Sequence, residues 1–578
     1  MNRFERWVEA THSTGFELRR HFLARFFDSD LVTTPGQWRV VAGSAAGIVA
    51  SVILLVTQSY YGKYLRLLEM DSPNPFRLAM LADHLFFVTI AMLLTGLFTA
   101  LLWPSLFPGL RDYMALAGLP VKARQIFIAK FTALLLLSSA FIAAVNLLPS
   151  LMLPAVSNGR YQEHALISAL TLFIAATLAA FFVFFVLVAL EGVLLNVTPP
   201  QWFPAVSLGA QGILLVALLC ALPFALTIPG LYWAMDLRPS AALWAPPAWF
   251  LAIDQRMLGN REPFAAALAA RAWIALAGSA SAAVTAYLWS YRRHRVRLLE
   301  TPLPENRDSR MLTLLSRIAD KLMADPPERA VFAFMAKALA RSPRHRLVLT
   351  IYAGVAVAIV ASAFLSLMFQ AGFRGFAVRT DALRHTAVSA PLALSLFLVS
   401  GYRYLYRLPV ELRANWIFQV NEGENRRAFL SATDRFVAWF GLYPLFLLTL
   451  PLEVTLLGWR DGVAAAALAS VTALILRELM LYQFQKIPFT CAYLPGKRNL
   501  LETLLLYGAG VAIYISTLSA FFAWCILEPS HTLTVFGLLL AGWAWFRAAR
   551  IDDSVLGAIE YEEEHEPAVH TLAIDADW

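Results

Sequence analysis

Long apolar runs recur along the whole chain, and they constrain the fold more than any other feature. Each run has the ~20 mainly apolar residues that a helix needs to cross the hydrocarbon core of a bilayer. Charged residues make up only 15% of the chain, where soluble domains usually have about 25%, so little length is left for a globular domain. The sequence therefore predicts an all-α polytopic membrane protein with about twelve transmembrane helices, near residues 40–60, 82–102, 131–153, 166–195, 205–231, 266–290, 347–370, 386–402, 433–456, 462–482, 501–525 and 532–548.

Lysine and arginine residues gather in alternate loops, and this bias predicts the orientation of the chain. With the N-terminus inside, the inside segments carry about three times as many of these residues as the outside loops, as the positive-inside rule requires. We therefore expect both termini on the cytoplasmic side of an inner, cytoplasmic membrane. The net charge of +8 arises from these loops, so it predicts contact with membrane lipids and gives no reason to expect nucleic acid.

The order of the segments predicts five regions. Residues 1–39 form a cytoplasmic amphipathic interface helix, and 40–290 form a first six-helix transmembrane unit. Residues 291–346 form a basic cytoplasmic linker that ends in a second interface helix. A second six-helix unit follows at 347–548, and an acidic, solvated cytoplasmic tail at 549–578. Basic amphipathic helices of this kind lie well at the membrane surface, with arginine toward lipid phosphates.

One pattern occurs twice, each time in the cytoplasmic loop after the second helix of a unit. It consists of Leu-Pro-Val, an arginine four residues after the proline, and Ile-Phe: Leu119, Pro120, Val121, Arg124, Ile126 and Phe127 in the first copy, and Leu408, Pro409, Val410, Arg413, Ile417 and Phe418 in the second. The fourth helix of each unit also ends in a glutamate followed by a proline. Because six helices are an even number, both copies enter the membrane from the same side, which predicts two parallel six-helix repeats.

The first half of the chain resembles the permease subunits of ABC-2-type exporters. The resemblance lies in the loop sequence LRDYMALAGLPVKARQIFIAK and in the order of an interface helix, two spans, this loop and four more spans. The twelve-span chain resembles a fused dimer of such subunits. The resemblance implies that the loop is a coupling helix that docks into an ATPase subunit. It assigns coupling to Leu110, Arg111, Asp112, Leu119, Pro120, Val121, Lys122 and Arg124, and in the second copy to Pro409, Glu411, Arg413, Arg426 and Arg427. An acidic, polar insert at 421–425 departs from the family pattern there.

The sequence contains no G-x-x-x-x-G-K-[ST] motif, whose backbone amides and lysine would bind the phosphates of ATP. The resemblance therefore implies separate ABC ATPase subunits, two copies per chain, with ATP and Mg²⁺ bound on those partners. We expect no cofactor, metal site or enzymatic activity in the chain itself. Its cysteines, Cys220, Cys491 and Cys525, lie in or beside apolar helices with no metal-binding spacing.

Four ionisable residues within the predicted spans are candidates for function, because charges inside a membrane are costly. They are Glu191, Glu453, Arg477 and Glu478. Arg477 and Glu478 are adjacent and point about 100° apart on a helix, so we expect partners on other helices rather than a pair between them. Anchoring of helix ends at the interface is the alternative to a functional role.

Two other function classes stay open. A secondary transporter driven by an ion gradient would also have parallel six-helix repeats, although the basic GxxxDRxGR-type loop typical of that class is absent. A lipid-linked-sugar glycosyltransferase would carry acidic residues in the first outside loop, where Glu69 and Asp71 occur. For an exporter, the nearly uncharged spans favour a lipid-like or amphipathic substrate over a small ion.

Overall fold

A computed structural model of the chain is mainly helical in its described residues and contains no strand in them. Among these residues, eleven helices are long and apolar enough to cross a membrane. The all-α polytopic membrane fold is therefore confirmed, while the first predicted span, near 40–60, lies outside the described part. The structure describes residues 14–27, 60–69, 73–108, 112, 116, 123–157, 165–199, 201–230, 242–300, 323, 325–374, 380–410, 414–482, 484–491, 500–556 and 559–561.

The chain divides into two compact units, Met1–Glu305 and Asn306–Trp578. The division falls inside the basic linker predicted at 291–346. Unit 2 contains six of the membrane-spanning helices, as predicted, and the described part of unit 1 contains five.

Unit 1 has seven labelled helices, with an additional one over residues 60–69. They are α1 (Thr14–Phe27), α2 (Pro73–Leu101), α3 (Ala123–Ser157), α4 (Ala165–Val197), α5 (Phe203–Ala225), the short α6 (Pro246–Met257) and α7 (Pro263–Glu300). The most apolar helix, α4, packs against α2, α3, α6 and α7. Its buried alanines, including Ala175, Ala176, Ala179 and Ala180, let the neighbouring helices approach closely, as small residues do in membrane bundles.

The described part of unit 2 consists of an amphipathic helix followed by six helices long and apolar enough to span a membrane. Its helices are α8 (Pro326–Arg341), α9 (Pro343–Arg374), α10 (Thr380–Tyr406), α11 (Asn415–Val420), α12 (Arg426–Val437), α13 (Tyr443–Leu457), α14 (Trp459–Leu481), α15 (Leu500–Cys525) and α16 (Pro529–Leu556). A five-residue π-helical turn, Ala438–Leu442, joins α12 to α13 within one span. At this turn the ring of Tyr402 lies so close to Gly441 that a Cβ there would approach it to 2.9 Å.

Interface helix α8 is part of the core of unit 2 rather than a helix held only by lipid. Val331, Phe332 and Met335 are fully buried in it, in one cluster with Tyr402 and Phe436. The predicted contact with the membrane surface is therefore open only to the outer face of α8. It packs against α12.

Several spans begin earlier than predicted. Helix α2 starts at Pro73 rather than near 82, α3 spans from Arg124, and the α12–α13 span starts at Arg426 rather than near 433. Hydropathy marks only the stretch that contacts hydrocarbon, whereas these helices continue for one or two turns that carry charged side chains. This difference moves several ionisable residues from predicted loops into helices.

Candidate functional site

The described part of the first coupling loop is tied to helix α3 by a buried ion pair. Asp112 accepts a hydrogen bond from Lys130 Nζ at 2.7 Å, and both side chains are buried. The Lys130 ammonium also lies over the ring of Phe22 in α1, 5.6 Å from its centre. Leu116 packs with Phe22 and Ile126. Asp112 and Leu116 therefore pack together with α1 and the start of α3.

Arg124 stands at the surface of this body, at the start of α3, with an exposed side chain. An exposed guanidinium on a helix held by buried contacts suits an attachment point for a partner. The other predicted coupling residues of the first copy, Leu110, Arg111, Leu119, Pro120, Val121 and Lys122, lie outside the described residues.

Glu191 lies on α4 near the same end of unit 1. Its side chain is buried, and no described residue makes a hydrogen bond to its Oε2. Lys130 interacts electrostatically with Glu191, so the loop pair and this glutamate belong to one electrostatic group. The next residue, Gly192, brings α4 against α7, since a Cβ there would lie 2.7 Å from Ala286 Cβ.

In unit 2 the Leu-Pro-Val segment is held by the backbone of residues 484–491. Val410 N–H donates to Phe489 O at 2.8 Å, and Phe489 N–H donates to Tyr406 O at 3.2 Å. Asn415 Nδ2 donates to Thr490 O. Leu408 is fully buried, Pro409 is half-buried, and Glu411 and Arg413 lie outside the described residues. This segment is thus built into its own unit.

Phe489 adopts the left-handed region, with φ of 68°, and its ring is fully buried. A bulky residue rarely takes this conformation, which costs on the order of 1–3 kcal/mol. The burial of the ring and the two backbone hydrogen bonds, one with Val410 and one with Tyr406, offset that cost. Phe489 therefore holds the second loop in position through its backbone hydrogen bonds.

Residues 559–561 also lie beside the second loop. Glu560 N–H donates to Gln485 O at 2.9 Å, Ile559 is buried in the main core of unit 2, and burial beside the Glu422 carboxylate raises the pKa of Tyr561. Glu422 also pairs with Arg426 at 2.9 Å. The expectation of a solvated tail is therefore wrong for residues 559–561, because their apolar side chains have a core to pack on.

Arg477 and Glu478 form a direct ion pair, contrary to the expectation that adjacent residues on a helix would not pair. The long arginine side chain bends far enough to overcome the angle between them. The expected partners on another helix are present as well, because Arg550 Nη1 of α16 lies 2.9 Å from Glu478 Oε2 and Arg547 Nη1 lies 3.4 Å from Oε1. Arg550 Nη1 also lies 2.7 Å from Asp434 Oδ1 of α12. We call these five residues the arginine–carboxylate cluster.

A cavity of about 490 Å³ lies beside this cluster. The starts of α8 and α12 and the ends of α14 and α16 form its walls. Glu328 on α8 is buried there, pairs with Arg435, whose Nε lies 3.0 Å from Glu328 Oε1, and accepts a hydrogen bond from Ser431 Oγ at 2.9 Å. Charged residues that line this arginine-lined cavity are Asp325, Glu328, Arg427, Asp434, Arg435, Glu478, Arg547 and Arg550.

Sequence reasoning missed a second polar group, which lies in unit 1 and which we call the His84 cluster. Lys63 Nζ lies 2.7 Å from Asp83 Oδ1, and Tyr64 OH donates to Asp83 Oδ2 at 2.7 Å. His84 Nδ1 lies 2.7 Å from Asp254 Oδ2, with both side chains fully buried. No described residue bonds to His84 Nε2.

The early start of α2 explains why this cluster was missed. The predicted span near 82–102 places Asp83 and His84 in its first turn, whereas they lie more than two turns inside a helix that begins at Pro73. Asp254 falls between two predicted spans, yet it lies on α6, a short helix packed against α2, α4 and α7. The adjacent Asp-His pair beside an apolar run was the available signal.

The remaining candidates are not brought into these groups. Glu453 is buried on α13 within a span. Glu69 is exposed at the end of the helix over 60–69, and Asp71 lies outside the described residues. Within the described residues, no group of three or more metal-ligating side chains is present.

These features define the class of protein as an all-α polytopic membrane protein with two units. No protein-family model matches the chain, and neither the curated proteins nor the solved structures provide a match.

Proposed function

We propose that the chain is the membrane-spanning permease subunit of an ATP-driven ABC-2-type exporter, with ATP hydrolysed by a separate ATPase subunit. The observation that carries the proposal is the construction of the first loop. The Asp112–Lys130 pair, at 2.7 Å and buried, joins the loop to a span and to interface helix α1. Because Arg124 is in the first turn of α3, a force applied to it would act on the span directly, and the ion pair would pass it on to Asp112.

The two loops are expected to receive this force unequally. In the second loop, Val410 is hydrogen-bonded to Phe489. Glu422 pairs with Arg426 and also lies beside Ile559. Part of the second surface is thus occupied by the chain itself. This supports an exporter in which the first loop is the principal ATPase contact.

The proposal is tested by purifying the chain from its native membranes and identifying what accompanies it. A protein with a Walker-type nucleotide-binding motif should co-purify, in two copies per chain. Purified complex in proteoliposomes should transport only when ATP is present on the side of the loops. Absence of such a protein, with transport by the chain alone under an ion gradient, would reject the proposal.

The substrate proposed is lipid-like or amphipathic. The described spans bury few charged side chains, and those present are paired within clusters at the helix ends or stand singly, as Glu453 does. Stimulation of ATP hydrolysis in nanodiscs by a panel of lipids, amphipathic compounds, peptides and ions tests this. Stimulation by a small ion alone would contradict it.

An ion-gradient-driven transporter is the second candidate, and the His84 cluster is the observation that favours it. A buried histidine hydrogen-bonded to a buried aspartate can take up and release a proton, and ionisable groups inside membranes often mark such routes. His84→Gln keeps a polar side chain but removes the titrating ring. If a proton gradient drives transport, this change should abolish transport; an exporter driven by ATP should retain it.

A further inference from the structure

The arginine-lined cavity lies at one end of the helices of unit 2. Its walls come from the start of the span Arg426–Leu457 and the ends of the spans Trp459–Leu481 and Pro529–Arg550. Glu478 is three residues from the end of its span, which is about 4.5 Å along a helix. The cavity therefore opens at the level of the membrane–water interface, on the side of the Leu-Pro-Val loop.

The carboxylates on the inner walls of the cavity are already engaged within the unit. Glu328 is bound by Arg435 and Ser431. Asp434 and Glu478 are bound by Arg550, and Glu478 also by Arg477 and Arg547. Each guanidinium has five N–H donors, so three arginines around two carboxylates leave donors in excess.

The outer wall of the cavity carries arginines with donors to spare. Arg427 is exposed, and it forms no ion pair with any residue in the described part of the chain. Arg547 is 37% exposed, and its contact with the Glu478 carboxylate is long, at 3.4 Å. Asp325 is the exposed acidic residue on this wall, so arginine outnumbers carboxylate where a ligand would enter.

We propose that this cavity binds a phosphate ester group, supplied by the headgroup of an anionic phospholipid. Two guanidinium groups at the mouth suit the oxygens of a phosphate, which arginine binds through paired hydrogen bonds. Asn425 and Gln485 add polar donors for the headgroup, and Leu430 and Phe484 give an apolar surface for the start of the acyl chains. The volume of about 490 Å³ lies within the range of about 300–1,000 Å³ typical of ligand pockets. The site does not depend on whether an ATPase drives the chain.

The test uses the full chain in nanodiscs of phosphatidylcholine alone or mixed with phosphatidylglycerol, and counts retained phosphatidylglycerol by native mass spectrometry. Arg427→Ala combined with Arg547→Ala should lower the affinity for phosphatidylglycerol by about tenfold, as expected for lost charge-assisted hydrogen bonds. Arg460→Ala is the matched control, because Arg460 is an exposed arginine at the opposite end of α14. It should retain the lipid at the level of the unchanged protein.

Three results would overturn the proposal or its lipid source. Equal loss of lipid in Arg460→Ala and in the double variant would show general attraction of charge only. No preference for phosphatidylglycerol over phosphatidylcholine would reject the site. Thermal stabilisation by inorganic phosphate or glycerophosphate that needs Arg427 and Arg547, without added gain from the lipid, would reject the lipid and assign the cavity to a soluble phosphate. Arg427→Lys with Arg547→Lys should recover part of the lipid affinity if the variants are folded.

Discussion

Glu478 holds the charges of three arginines together at one end of unit 2. Its side chain is buried, and removing one partner from a buried ionic group costs far more than the group contributes as a whole. This glutamate is therefore the residue on which the local structure around the arginine-lined cavity most depends.

Glu478→Gln should lower the free energy of unfolding by about 3 kcal/mol, because Arg477 and Arg550 would keep their charges with one carboxylate fewer. Thermal or denaturant unfolding of the purified chain in detergent measures the change. Arg460→Ala, at the opposite end of the same helix, serves as control and should leave the stability within about 0.5 kcal/mol. An unchanged midpoint in Glu478→Gln would show that the cluster is not structural.

Gly192→Ala should destabilise unit 1 by about 1–3 kcal/mol, because the added Cβ would lie 2.7 Å from Ala286 Cβ and the two helices would have to separate. Gly278→Ala on α7 is the matched change, since nothing lies within 4 Å of a Cβ there. That variant should be neutral or slightly stabilised through helix propensity. Equal effects of the two changes on the unfolding midpoint would contradict the close approach of α4 and α7.

At the residue scale the sequence indicated some of the site and not the rest. The four intramembrane candidates could be found from polarity alone, and all four are buried. The partners of Glu478 could not, because Asp434 and Arg550 are about 40 and 70 positions away and meet it only through packing of α12, α14 and α16. The roles of Lys130 and Asp254 could likewise not be predicted from each span taken separately.

At the loop side of each unit, contacts between separate elements of the chain hold the loop in place. In unit 1, α1 and α3 enclose Asp112 and Leu116. In unit 2, the segment 484–491 and residues 559–561 close over the second loop. The apolar runs predicted the existence of the spans well, since hydrophobic burial in lipid sets their length. Their first turns were missed because charged side chains there lower the hydropathy without ending the helix.

Ile559→Ser should release residues 559–561 from the rest of unit 2, because it replaces a buried apolar side chain that packs in the main core. The lost burial amounts to about 2 kcal/mol, and limited proteolysis after residue 558 should become several-fold faster. Glu560→Ala is the control, since its ion pair with Lys486 is exposed and such pairs contribute little. Unchanged proteolysis of Ile559→Ser would show that this contact does not hold the chain end.

On the scale of the whole molecule, the division into two units at Glu305 and Asn306 fits the two-copy organisation inferred from the Leu-Pro-Val pattern. Unit 2 has the six predicted spans. What separates the two copies is the local environment of their loops: an exposed Arg124 in one, and a backbone pairing with Phe489 in the other. Such differences arise from tertiary contacts, and no short motif in the sequence could have indicated them.

The rate of ATP hydrolysis by the co-purified complex tests the proposed permease function most directly. The complex is compared with complexes that carry Arg124→Glu, Arg413→Glu, or the control Arg261→Glu, which changes an exposed arginine outside both loops. We predict that Arg124→Glu lowers the rate to that of the ATPase alone while the chain stays folded, because the reversed charge would repel the partner. Arg413→Glu should have a weaker effect, and Arg261→Glu none. A normal rate with Arg124→Glu, or a chain that brings no ATPase with it, would contradict the account.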